Sequence, residues 1–185
     1  MSRLSFTLPA VIVASALSLH AVGTLDVQAK TPDPFASPAP ATVLLFVRTD
    51  CPITNRYAPE LQRIAAEFER RGAAFWLVYP DPSETPAGIE THVLQYKFPG
   101  TPLRDPRHEL VKRAQALVSP QAAVFNRAGS LVYTGRIDDR YIDFGKSHPT
   151  ARTHDLEAAI EATLDGKPVA EAKTHAVGCY LADVQ

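Results

Sequence analysis

The chain has 185 residues, a formal net charge of -1 and a hydrophobic content of 45%. A near-neutral balance without a cluster of Lys or Arg leaves no electrostatic footprint for nucleic acid. The apolar fraction is that of an ordinary globular protein with a core, and no internal repeat interrupts it.

Residues 1–29 read as an export signal. Arg3 precedes an apolar run from Leu4 to Leu19, broken by Ser and Thr, and Val27-Gln28-Ala29 supplies the small residues a signal peptidase prefers. The run falls short of the ~20 apolar residues of a membrane span, so no stable span is expected after its removal. A periplasmic or extracellular location follows, where disulfides persist. Residues 30–41 (KTPDPFASPAPA) hold four prolines and predict an extended, poorly ordered linker. A single domain is expected over 42–166, followed by a tail, 167–185, that carries Cys179.

The first strand is predicted over 42–48. A helix over 55–71 follows, with Tyr57, Leu61, Ile64, Ala65 and Phe68 at three- and four-residue steps, and Gly72 ends it. Ala73 to Tyr79 reads as a second buried strand, completing a right-handed βαβ unit with parallel strands. Thr85-Pro86 begins a helix to Lys97. Phe98 to Pro106 reads as a loop, and 107–115 as a helix. A strand over 117–125, entered through Ser119-Pro120, turns at 126–130 into a hairpin partner over 131–137. After a charged stretch, Thr153 opens a helix whose apolar positions are Leu156, Ala159, Ile160 and Leu164, ended by Gly166. The order predicts an α/β domain: a central mixed β-sheet, βαβ followed by a β-hairpin and a helix, with helices on both faces.

Cys51 falls where the first strand gives way to the first helix. A thiol there meets unpaired N–H groups and the positive end of the helix dipole, which favour the thiolate. An exposed sulfur at that helix tip is therefore expected. Phe46 to Thr54 (FVRTDCPIT), Pro59 eight residues after Cys51, Ser119-Pro120 and Gly135 together resemble the thioredoxin-like superfamily. The resemblance is to its exported redoxin branch, the alkyl hydroperoxide reductase/thiol-specific antioxidant-like and thiol–disulfide oxidoreductase-like proteins, and covers residues 40–166. It implies the thioredoxin fold and a cis peptide before Pro120. It also implies that Ser119, Pro120 and Pro52 lie beside the reactive thiol and shape the substrate groove.

Thr54 stands where a C-x-x-C dithiol would place its second cysteine, so a two-thiol cycle within the loop is excluded. Position 48 is Arg and Thr49 lies one step later than the Thr of peroxiredoxins, so disulfide exchange is expected ahead of peroxide reduction. Cys51 is the candidate nucleophile, acting on protein thiols or disulfides or on small oxidants. Thr54 is the candidate donor to its thiolate, and Cys179 the resolving cysteine. Arg136, in the charged run 135–141, is either a substrate-contacting rim or part of a salt-bridged loop in water. No organic cofactor is implied.

Two other readings remain open at this stage. One is a non-catalytic binding module with a structural Cys51–Cys179 disulfide. The other is copper handling through Cys51, Cys179 and His175.

Overall fold

The computed structural model describes residues 32–181. The export signal predicted over 1–29 lies outside them. Among the described residues, no helix is long and apolar enough to cross a membrane.

The N-terminal part of the domain runs β1 (Ala41–Phe46), α1 (Pro52–Phe68), β2 (Ala73–Tyr79), α2 (Pro86–Tyr96), β3 (Thr101–Arg104) and α3 (Glu109–Ala114). It continues through β4 (Val118–Ser119), β5 (Gln121–Asn126), β6 (Leu131–Gly135), β7 (Tyr141–Asp143), β8 (Lys146–Ser147), α4 (Asp155–Leu164) and β9 (Cys179–Tyr180). The central sheet has the order β3-β2-β1-β5-β6. Pairings β1–β2 and β2–β3 are parallel, while β1–β5 and β5–β6 are antiparallel, so the sheet is mixed.

All six residues of β1 are buried, which is what a strand covered on both faces requires. Alternation divides them. Val43 and Leu45 pack with Leu61 and Ile64 of α1 and Leu156 and Ile160 of α4, whereas Leu44 and Phe46 pack with Val111 and Ala114 of α3. The antiparallel register Phe46↔Gln121 sets the end of β1 beside the start of β5. That register carries the 47–51 loop toward Ser119-Pro120.

Four regions depart from the sequence expectation. Residues 32–40 are not a loose linker: Asp33 closes a turn through its contacts with Phe35 N and Ala36 N, and the Phe35 ring packs edge-on against Phe125 at 5.0 Å, under the Arg113 guanidinium. The segment 98–106 contains β3 rather than only loop. Its Pro102 is tolerable because β3 is an edge strand, and Gly100 is required because a Cβ there would lie 2.6 Å from the Phe75 carbonyl oxygen. The tail is also structured, pairing at Thr134↔Lys173 and again as β9 on β4. Finally, α1 begins at Pro52, with Pro at its first position and Pro59 in its interior.

Candidate active site

Cys51 is the N-cap of α1; its carbonyl accepts the Asn55 N–H at 3.1 Å. The preceding loop is fixed from two sides. Glu84 Oε1 accepts the Thr49 N–H at 2.7 Å, and Asn55 Nδ2 donates to the Thr49 carbonyl at 3.4 Å. Asn55 Oδ1 in turn meets His92 Nε2 at 2.7 Å, and Tyr79 Oη meets His92 Nδ1 at 2.9 Å. Because the amide oxygen can only accept, His92 Nε2 donates and Nδ1 accepts from the tyrosine. Burial lowers the His92 pKa, consistent with the neutral ring that this chain needs. Burial raises the Glu84 pKa against the opposing pull of Thr49.

The exposed sulfur expected at position 51 is not observed. Cys51 is fully buried, at 0% exposure. Cys51 belongs to the hydrophobic core cluster, and Cys179, packed against that cluster, brings its Sγ within 3.1 Å of Cys51 Sγ from 128 residues away in sequence. Cys179 itself is only partly buried. Ser119 pairs with Cys179 in the β4–β9 ladder and accepts the Cys51 thiol on its carbonyl at 3.0 Å. Thr54, also fully buried, shares a 2.9 Å hydrogen bond between its hydroxyl and that of Ser119. The Ser119-Pro120 peptide is cis, and Pro120 is buried beside these groups.

The electrostatics of the two sulfurs diverge. Burial opposes ionisation of Cys51, but hydrogen bonding from the backbone and hydroxyl of Thr54 and from Cys179 outweighs it, and its pKa falls below the ordinary thiol value. Cys179 is pushed up to about 11 by burial and by its hydrogen bond to, and the charge of, Cys51. The hydrogen bonds to its sulfur favour the charged form of Cys51, whereas burial and the neighbouring charge disfavour that of Cys179.

Several groups hold the tail in place. Arg48 donates to the Tyr180 carbonyl at 3.2 Å while pairing with Asp50 at 2.9 Å and Asp81 at 3.3 Å. The Leu181 N–H donates to the Leu117 carbonyl at 3.0 Å, and the Leu181 side chain is buried. Gly178 crosses so close to Ser119 that a Cβ would stand 2.1 Å from the Ser119 carbonyl oxygen. On the open side of Cys179 lies a cleft of about 240 Å³, lined by Pro52, Ile53, Arg56 and the β7–β8 hairpin.

Of the residues singled out from sequence, Cys51, Thr54, Ser119, Pro120 and Cys179 converge, and exposed Pro52 borders the cleft. Arg136 does not join them. Its guanidinium is held by Asp155 at 2.8 and 3.1 Å and by Thr153 at 3.3 Å, tying β6 to the start of α4, so the rim reading gives way to the salt-bridged one. His175 is exposed and does not complete a three-ligand set with the two sulfurs. Among the described residues the one such grouping is Glu60, His154 and Glu157, whose carboxylates pair with Arg63. Sequence reasoning missed Arg48 as a clamp on the tail and Glu84 as a support for the loop; both contacts join distant segments, and no local pattern marks them.

Similarity to known proteins agrees with this fold. An uncharacterized conserved protein from Geobacillus kaustophilus is 26% identical, with a TM-score of 0.68 and 77% of each chain covered. A hypothetical protein from Sinorhizobium meliloti is also 26% identical, with a TM-score of 0.67, over 77% of this chain and 79% of that one. The thioredoxin domain of a thiol-disulfide oxidoreductase from Bacteroides vulgatus shares the fold, with a TM-score of 0.50 at 12% identity, over 69% of this chain and 81% of that one. No curated protein matches the chain. Residues 35–134, more than half of the sequence, match the AhpC/TSA family. With its thioredoxin-like mixed sheet and a cis-proline beside a helix-capping cysteine, the chain belongs to the AhpC/TSA family of the thioredoxin-like redoxin superfamily.

Proposed function

We propose that the protein is an exported thiol–disulfide oxidoreductase in which Cys51 is the redox nucleophile and Cys179 its resolving partner in the same chain. The observation that carries this reading is the 3.1 Å approach of the two sulfurs across 128 residues. The Cys51 thiolate, favoured by Thr54 and the α1 terminus, attacks a disulfide when the tail lifts from Ser119. One partner sulfur leaves as a thiolate and the other is held as a mixed disulfide. Cys179, returning as a thiolate, attacks Cys51 Sγ, closes the internal disulfide and releases the second partner thiolate. Ser119 and Pro120 supply the backbone against which the cysteine-bearing strand lies. Export is supported by the Arg3, Leu4–Leu19 and Val27-Gln28-Ala29 pattern, with 30–41 leading into the domain over 42–166 and with 167–185 as the tail that supplies Cys179.

Oxidation of the reduced protein by a low-molecular-weight disulfide, followed by peptide mapping, tests the proposal. A Cys51–Cys179-linked peptide in wild type and a mixed disulfide stalled on Cys51 in the Cys179→Ser variant are expected. Equal turnover in the Cys51→Ser variant would sink it. The complete burial of Cys51 favours a second reading, a permanent bridge that stabilises the docked tail by ~2–4 kcal/mol without turnover. Resistance of the oxidised protein to all but harsh reduction would select that reading.

A further inference from the structure

Resting on the internal disulfide just proposed, we infer that the oxidised protein is reduced through the cleft beside Cys179, where a small anionic thiol attacks Cys179 Sγ and Cys51 leaves. Three observations point the same way.

The first is access. Cys51 is fully buried, and its sulfur is faced by the Ser119 carbonyl and by Cys179, while Cys179 is partly exposed and lines a cleft of about 240 Å³. The second is the size of what can approach. An extended partner chain would need the backbone edge at Val118 and Ser119, which β9 already occupies, with Leu181 N–H on the Leu117 carbonyl extending the ladder. A small molecule needs only the cleft, which lies between the start of α1 and the β7–β8 hairpin. The third is charge. The cleft is lined by two cations, Arg56 and Lys146, and by no Asp or Glu, and neither cation has a carboxylate partner among the described residues. Asp50, the nearby anion that bears on Cys179, is held in a bidentate pair by Arg48.

The chemistry balances with the thiol as reductant. Its thiolate forms a bond to Cys179 Sγ, the Cys51–Cys179 bond breaks, and the electron pair goes to Cys51 Sγ. Cys51 is the better leaving group because Thr54 already favours its thiolate. A second thiolate attacks the outer sulfur of the mixed disulfide, releasing the small disulfide and Cys179, which takes a proton from water. Two thiols are oxidised and one protein disulfide is reduced.

The experiment mixes oxidised, full-length protein with 2-mercaptoethanesulfonate, quenches with acid, alkylates the free thiols and maps the peptides. The inference predicts the mercaptoethanesulfonate adduct on Cys179 and the alkyl group on Cys51. The adduct on Cys51 with Cys179 alkylated would overturn it. Rates are compared with those of uncharged 2-mercaptoethanol in wild type and in the Arg56→Gln/Lys146→Gln variant. Charge removal is expected to lower the anionic-to-neutral rate ratio about threefold or more, the scale of unit charges separated by several ångströms of water. An unchanged ratio would remove the cleft from the route. Absence of any Cys51–Cys179-linked peptide before thiol is added would instead overturn the reading on which this one rests.

Discussion

Cys51 and Cys179 end 3.1 Å apart, yet the segments that carry them are specified in different ways. The 46–54 segment is a local construction: a buried strand, a short loop, a helix with Pro52 at its first position, and a thiol at the cap. The 174–181 segment has no such code. It lies where it does because its backbone pairs with Val118 and Ser119, because Gly178 permits a close crossing, and because Arg48 and the Leu117 carbonyl hold its far end. On the proposed reading, a nucleophilic sulfur positioned by local rules lies under a strap made of long-range contacts. On that reading the nucleophile and its access belong to separable parts of the molecule.

That division can be broken from either side. The largest effect is expected from Cys51→Ser, which removes the local half: disulfide exchange should fall to background, with the fold and the thermal midpoint of the reduced protein little changed. The substitution Gly178→Val attacks the strap. A branched side chain cannot fit against the Ser119 carbonyl, so the tail should leave β4 at a cost of about 1–3 kcal/mol, read by urea denaturation. The same variant should make Cys51 alkylate much faster in the native protein; slow alkylation would mean that the sulfur is sealed by the core and not by the tail.

Thr54→Val sharpens the comparison at the thiol. Loss of one hydrogen bond worth about 0.5–1.5 kcal/mol should move the Cys51 alkylation midpoint upward by about one pH unit. In wild type that midpoint lies below the ordinary thiol value, because donors to the sulfur favour the charged form. Cys179, raised to about 11, should react only at higher pH. A reversed order of the two midpoints would show that the electrostatic roles are exchanged. Arg48→Gln should have the smallest effect, weakening the hold on Tyr180 by about 1 kcal/mol and raising Cys179 accessibility modestly in hydrogen exchange or alkylation.

How much of this was legible in the sequence follows the same line. The strand–helix–strand unit, the hairpin, the final helix and the thiol at the first helix could be read because each is written in neighbouring residues. The apolar run 42–47, the steps Tyr57, Leu61, Ile64 and Phe68, and the Ser119-Pro120 pair all carry their meaning locally. The edge strand at Thr101–Arg104 escaped because its Gly and Pro residues are the punctuation of loops, and only the finished edge of β2 makes them a strand. The docked tail escaped for a related reason: two paired residues have no periodicity to detect. The burial of Cys51 could not be read at all, since Ser119 and Cys179, which face its sulfur, come from 68 and 128 residues away in sequence. Arg136 illustrates the opposite outcome. Its charged surroundings allowed either a rim or a salt-bridged loop, and the ion pair with Asp155 at the start of α4 matches the second.

The reduction potential of the Cys51/Cys179 pair, measured by equilibration in thiol–disulfide buffers, bears most directly on the claim that the tail sulfur and the helix-capping sulfur form an exchanging couple. A potential above about −300 mV is predicted, with both thiols appearing together as the pair is reduced. A potential well below that value, or two cysteines that titrate independently, would contradict the account.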